Sequence, residues 1–251
     1  MTIHCQPSLD VASCPTAGEK FFCSWSGGKD SCLALYRAKA NGAIPSYLVT
    51  MMVEDGTRTR SHGLAAEVVQ QQALSLGIPL ATAATSWSEY EASFINALRQ
   101  LKMQNVSAGV FGDIDIDHHR EWEQKVCKAA QLRAHLPLWK AKRQMLLQEF
   151  LHLGFSAMIV ATKAGTLEPE VLGHMLDREL IARFAAQGID PSGENGEYHT
   201  IVTGGPLFAQ PLALTPGETV QRDGYWFLDL SIKPASDAPA GDDTTAQKHR
   251  P

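Results

Sequence analysis

Phe21-Phe22-Cys23-Ser24-Trp25-Ser26-Gly27-Gly28-Lys29-Asp30-Ser31 decides the fold of this chain. The apolar start suits a short buried strand, the paired glycines make a turn, and Leu33, Leu35, Tyr36 and Ala38 then fall along a helix. A strand, turn and helix in this order aim backbone N–H groups at a helix start, where anionic phosphate binds. Two adjacent glycines let the main chain approach a phosphate and take positive φ at little cost. Ser26 and Ser31 add hydroxyl donors, Lys29 adds a point charge, and Asp30 is placed to orient a water or Mg²⁺. A glycine turn without a ligand is the plainer alternative, but it does not call for two serines, a lysine and an aspartate together.

The loop is not a Walker A loop, which needs Gly, four residues, Gly, Lys, then Ser or Thr. Cys23 stands where the first glycine belongs, and Asp30 follows the lysine. The spelling SGGKDS resembles instead the pyrophosphate loop of the ATP pyrophosphatase superfamily, whose members cleave ATP between the α and β phosphates.

With 251 residues the chain can hold one large or two modest domains. A net charge of −5 gives no sign of a broad basic surface for nucleic acid, though a local basic groove stays open. No apolar stretch approaches the roughly 18 residues of a membrane span, and no signal-like apolar core opens the chain, so a cytoplasmic protein without a membrane partner is expected. Cys5, Cys14, Cys23, Cys32 and Cys127 form no CxxC pair, which argues against a disulfide framework and a zinc knuckle. Cys32 reads as a small buried hydrophobe.

Strands and helices alternate along the chain, which argues for a largely parallel α/β sheet. Ser46 to Val53 suits a buried strand, followed by a polar loop with Glu54, Asp55, Arg58, Arg60 and His62. Ala65, Val69, Ala73 and Leu76 fall at helical spacing, closed by Gly77 and Pro79. Ser88 and Glu91 read as a capping box for a helix whose apolar stripe is Trp87, Phe94, Leu98 and Leu101. A strand from Ala108 to Phe111 precedes a helix over about His118 to Leu132, with Trp122, Val126 and Ala129 on one face. Leu136-Pro137-Leu138-Trp139 is a rigid apolar loop at which a second region begins. Further on come a helix through Leu146, Phe150 and Leu153, a strand from Ala157 to Ala161, a helix capped by Asp177, and an alternating strand through Trp226, Leu228, Leu230 and Ile232. Residues 1–18 read as a loose extension, and 235–251, small and polar, as a disordered tail.

The second chemical signal is Gly193-Glu194-Asn195-Gly196-Glu197-Tyr198-His199-Thr200, followed by Gly204-Gly205-Pro206-Leu207-Phe208. Composition alone leaves two readings open here, a solvated polar loop before a strand or a substrate site. The SGGKDS loop, Phe111-Gly112-Asp113-Ile114, Pro137-Leu138-Trp139 and this last run come in the order seen in the diphthine–ammonia ligase family, which the chain resembles over roughly residues 20 to 210. The resemblance implies a Rossmann-like, mainly parallel sheet with helices on both faces at residues 19–135, of ATP pyrophosphatase type. It implies a smaller α/β C-terminal domain at 136–234 that binds substrate. ATP would lie on Ser26, Gly27, Gly28, Lys29, Asp30 and Ser31, with substrate on Asp113, Glu194, Asn195, Gly196, Glu197, Tyr198, His199 and Thr200.

The second motif departs from the family members that amidate diphthine, which look like Glu-Gly-Gly-Glu-Tyr-Glu-Thr. Asn195 replaces a glycine and His199 a glutamate. That spelling is similar to a bacterial subgroup for which cobamide salvage has been suggested. Losing a carboxylate and gaining an imidazole changes which substrate charge a pocket accepts. Asp113 follows a strand, at the edge where α/β sheets gather ligands, and is expected to meet Mg²⁺ or substrate. For His118 and His119 the preferred reading is a loop in which Asp117 caps the next helix, with a metal site as the alternative. Arg58, Arg60, Ser61 and His62 suit either phosphate contact or a solvated loop. Lys140, Lys142 and Arg143 read as an exposed helix face, and Arg120 as a local partner of Glu123.

The expected reaction is amide formation: a carboxylate, protein-borne or small, attacks ATP, pyrophosphate leaves, and ammonia displaces AMP from the acyl-adenylate. Lys29 and the loop would neutralise pyrophosphate, Asp30 and Asp113 would hold Mg²⁺, and Glu197 or His199 would serve as base. Ammonia would arrive free or from a separate chain, and a homo-oligomer stays open. Thiolation of tRNA and sulfonucleotide reduction would want late or paired cysteines, and none lies beyond Cys127. A nucleotide-binding sensor is the non-enzymatic alternative.

Overall fold

The structure, a computed structural model, describes residues 13–233. The tail expected at 235–251 lies outside the described residues, as do residues 1–12 of the expected extension. Residues 13–18 are tied down: Gly18 N donates to Gly42 O at 2.8 Å and Asn41 Nδ2 to Pro15 O at 2.9 Å.

The first half alternates strictly. β1 (Lys20–Ser24), α1 (Lys29–Ala40), β2 (Ile44–Met52), α2 (Ala66–Leu76), β3 (Leu80–Ala84), α3 (Tyr90–Met103), β4 (Ala108–Val110), α4 (Asp117–Ala129) and β5 (Arg133–His135) build a sheet in the order β3-β2-β1-β4-β5, with every pair parallel. β1 is buried on both sides, as a central parallel strand must be. Phe21 and Cys23 pack with Leu33 and Leu35 of α1 and Val68 and Val69 of α2. Phe22 faces the other way, into Phe94 and Leu98 of α3 and Val126 of α4. The chain runs outward from β1 to β3, then returns to β4 on the other side of β1. That reversal opens a crevice at the carboxyl ends of β1 and β4, where open α/β sheets bind ligands.

The second half holds α5 (Arg143–His152), β6 (Ser156–Lys163), α6 (Arg178–Ala186), β7 (Tyr198–Gly204), β8 (Leu214–Arg222) and β9 (Tyr225–Ile232). Its sheet is antiparallel, in the order β7-β6-β9-β8. Ala157, Ile159, Ile201 and Val202 share one buried cluster with α1 and α2, so the core runs unbroken between the two sheets.

Several local expectations change, among them the cap of α4: Asp117 is its first residue, Ile116 holds the N-cap position, and no side chain caps it. The helix after β3 starts at Tyr90, and Ser86 Oγ rather than Ser88 accepts from Glu89 N, at 3.3 Å. Glu91 turns to Trp122 Nε1 and Lys125, while Trp87 precedes the helix and is 71% exposed. On α4 the buried face is Glu123, Val126 and Cys127, with Ala129 outside it, and Arg120 pairs with Asp117 at 3.2 Å instead of Glu123. Asp177 caps α6 as expected, accepting from Leu180 N at 2.8 Å.

Candidate functional site

The loop from Ser26 to Ser31 sits at the sheet's reversal point, with Gly28 as the N-cap of α1. Gly27 has φ +84, but the glycines answer to protein as well as to any ligand. A Cβ on Gly27 would lie 2.8 Å from Gln72 Oε1, and one on Gly28 would lie 2.6 Å from His62 Cε1. Ser31 Oγ donates to Gly28 O at 3.1 Å and lies 3.2 Å from Ser26 Oγ, so the hydroxyls brace the turn. β4 closes in from the other side: a Cβ on Gly112 would come within 2.7 Å of Ser31 N.

β7 seals the loop from the second sheet. Val202 N donates to Gly27 O at 2.8 Å, and Lys29 N donates to Thr200 Oγ1 at 3.1 Å. Gln72, fully buried on α2, donates to Gly27 O at 3.0 Å and Val202 O at 2.8 Å and accepts from Trp25 Nε1 at 3.0 Å. The two sequence motifs, 171 residues apart at the Lys29–Thr200 bond, thus meet in one place.

Lys29 is the charged centre. Its Nζ donates to Asp30 at 2.7 Å and Glu194 at 3.0 Å, and the side chain is 8% exposed. Burial alone would lower the ammonium's pKa, but the two carboxylates outweigh it and hold it far up. Burial and the Asp30 charge push Glu194 up to about 7 despite Lys29. Beside Lys29 and Asp30 a small pocket is lined by Leu33, Ile114, Leu146 and Phe150, with Arg143 and Ser192.

Arg143, expected on an exposed helix face, is instead a clamp. It grips Asp115 with two bonds of 2.8 Å, donates to Asp190 at 2.6 Å and reaches Asn195 Oδ1 at 3.0 Å. Asn195 then holds both oxygens of Glu197, through its N at 3.0 Å and its Nδ2 at 3.1 Å. Glu197 therefore folds back on its own turn. Tyr198 is buried with its hydroxyl on Pro191 O, and Tyr225 fixes Gly196 O at 2.9 Å.

His199 stacks on His62 at 4.7 Å and on Tyr225 at 5.7 Å, while His62 Nδ1 donates to Thr200 O at 3.0 Å. Burial pushes both imidazoles down, His199 to about 4, so neither carries charge near neutrality. From the same loop, His62 and Leu64 pack against the Ser26–Ser31 turn, at Gly28 and Gly27. Arg58 is spent on Asp229 and Gly63 O, and Arg60 on Glu54 and Thr85 O.

Asp113 stands at the end of β4, but its carboxylate accepts from His119 Nδ1 at 2.7 Å and shares a hydrogen bond with Glu123. Burial, with the charge of Asp113 beside it, raises Glu123 well above the carboxylate range. Of the two acids expected to meet Mg²⁺, Asp30 is the one at the loop itself, 30% exposed and offering hard oxygen donors. Asp113, similarly exposed, pairs with His119 as Asp30 pairs with Lys29.

A family model described as the diphthamide synthase N-terminal domain matches residues 19–134, and one described as the diphthamide synthase C-terminal domain matches residues 142–235. A diphthine–ammonia ligase of Schizosaccharomyces pombe is 29% identical over 125 residues, covering 49% of this chain and 21% of that protein. One of Danio rerio is 27% identical over 219 residues, covering 78% of this chain and 86% of that protein. The chain therefore spans about a fifth of the first relative and most of the second. Among solved structures, a chain described as a predicted subunit of a tRNA methyltransferase from Methanocaldococcus jannaschii shares 16% identity at a TM-score of 0.41, over 75% of this chain and 98% of that one.

Proposed function

We propose, for a chain that belongs to the diphthamide synthase family, that it is an ATP-dependent carboxylate–ammonia ligase releasing AMP and pyrophosphate. The observation that supports this most is the sharing of Lys29 by both motifs: its N–H meets Thr200 and its ammonium meets Glu194. A phosphate site and a carboxylate-bearing turn that converge on one lysine suit a reaction in which ATP and an acid must react in line.

In this reading the acid's carboxylate attacks the α-phosphorus while Lys29, the start of α1 and the Ser26 hydroxyl take up charge on the departing pyrophosphate. Asp30 would hold a Mg²⁺ ion, which supplies further charge neutralisation on the phosphates. Ammonia then forms the C–N bond as the acyl C–O bond to AMP breaks. The proton leaving nitrogen passes to a side chain. Glu197 and His199 were the expected bases, but Glu197 is held by Asn195 and His199 is a weak base in its stack. Glu194, raised to about 7, suits the task better.

The names of the relatives suggest diphthine as the acid; a corrinoid acid or another small acid is the alternative that the Asn195 and His199 spelling motivates. The test is a pyrophosphate-release assay with ATP, ammonium and a panel of acids that includes diphthine-bearing elongation factor and corrinoid acids. One acid should drive stoichiometric AMP and pyrophosphate, with Lys29→Met inactive. Release of ADP and phosphate would refute the scheme.

A further inference from the structure

Lys29 Nζ is the only side-chain ammonium in the phosphate loop, and it is already occupied. Asp30 is its chain neighbour and lies on α1 itself. Glu194 comes from the other half of the molecule, with its side chain 18% exposed, and its carboxylate sits on Nζ as a phosphate oxygen would. The turn that carries it is braced on three sides. Arg143 ties Asp190 and Asn195 to Asp115, Tyr225 holds Gly196 O, and Glu197 locks onto Asn195. Glu194 is therefore delivered to Lys29 by a built turn.

We propose that Glu194 is an internal occupant of the phosphate seat on Lys29, which nucleotide phosphate must displace, so that filling the loop frees the Glu194 turn. This rests on the reading that Ser26–Ser31 binds the phosphates of ATP. Asp30 and Glu194 already share the ammonium, so a phosphate oxygen there would be a third anion around one cation, about 4–5 Å from the Glu194 carboxylate if both stayed, and that excess negative charge repels strongly inside a protein. The one contact that ties the turn to Lys29 is thus lost when nucleotide arrives, and its braces alone remain. Glu194 then faces the cleft without its cation, free to meet ammonium or the attacking amine. In this way the second motif becomes competent only after the first is filled.

The test is isothermal titration of the full chain with inorganic pyrophosphate at about pH 8, comparing wild type, Glu194→Gln and Glu194→Asp. Removing or withdrawing the competing carboxylate should tighten pyrophosphate binding about tenfold in both variants. The aspartate version, one methylene shorter, guards against a folding defect peculiar to glutamine. Hydrogen exchange followed by mass spectrometry reads the second half of the idea. Peptides spanning residues 190–198 should exchange faster in wild type once pyrophosphate is bound, whereas a loop with no link to the ligand would not change. Equal or weaker binding by both variants, or unchanged exchange, overturns the proposal while leaving the nucleotide reading intact. Failure of wild type and both variants to bind pyrophosphate overturns the nucleotide reading and this proposal with it.

Discussion

Gln72→Leu should cost this protein about 3–5 kcal/mol of stability, although the substitution nearly conserves volume and lies on a helix. Gln72 has no exposed surface and its amide makes three hydrogen bonds, to Gly27 O, Val202 O and Trp25 Nε1. Gly27 O keeps a second partner in Val202 N, so its loss is the ordinary net value of about 1 kcal/mol. The indole N–H of Trp25, in a residue 2% exposed, loses its partner without access to water, which costs about 1–3 kcal/mol. The bond to Val202 O adds about 1 kcal/mol more. For a chain of this size each kcal/mol lowers the melting temperature by about 2–4 °C, so a fall of roughly 6–20 °C is expected. Urea unfolding followed by tryptophan fluorescence, with a thermal melt in parallel, measures it. Gln72→Glu should be at least as harmful, because it puts an acceptor against two carbonyl oxygens. A Leu variant within about 0.5 kcal/mol of wild type would show that the joint between the sheets does not depend on this amide.

Asp177→Ala removes the side-chain cap of α6 and should cost about 1 kcal/mol, visible as a small fall in melting temperature without loss of helix signal. The buried histidines set a pH dependence whose sign is fixed. With the folded pKa of His199 lowered to about 4, the unfolded chain binds more protons below its usual pKa, so this group destabilises the fold as pH falls through 6.5. Glu194, raised to about 7, works in the opposite direction over part of that range. The comparison to make is therefore between proteins: lowering the pH from about 7.5 to about 5.5 should favour His199→Gln over wild type by about 1.4 kcal/mol in urea unfolding. A gap that stays constant with pH would mean that His199 is not buried neutral.

Three strands of the first sheet, β1, β2 and β4, were legible because their signals are local, whereas the edge strands β3 and β5, short and only partly buried, were not. A run such as Phe21-Phe22-Cys23 before two glycines needs no distant partner to be a central strand, and its two faces simply find helices on either side. β8 was not legible, because Leu214–Arg222 is almost wholly exposed, contains Pro216 and Gly217, and is held mainly by pairing with β9. The site divides in the same way. The residues of the loop and of the second motif are visible as clusters of chemistry, but which of them face each other is decided by long-range packing. Arg143 looks like any basic residue at a helix start, since Asp115 and Asp190 lie 28 and 47 positions away. Gln72 did leave a trace: it lies in the stripe of Val68, Val69, Ala73 and Leu76, where a polar side chain must find buried partners.

Asn195 shows how one departure in a motif can be read physically. Its Oδ1 accepts from Arg143 while its Nδ2 donates to Glu197, so a single amide joins the clamp to the carboxylate of the turn. Glycine at this position has no side chain to make either bond, and Arg143 would then hold the turn through Asp190 alone. The asparagine side chain thus adds a second bond to the backbone one that turns Glu197 inward, and Glu194 is the carboxylate directed at Lys29. His199 completes the division of labour, because stacking between His62 and Tyr225 spends its ring on the joint rather than on charge in the cleft. What the motif gives up in carboxylates it recovers as a turn held by Arg143 and Tyr225, with Glu194 as the one acid on the Lys29 ammonium.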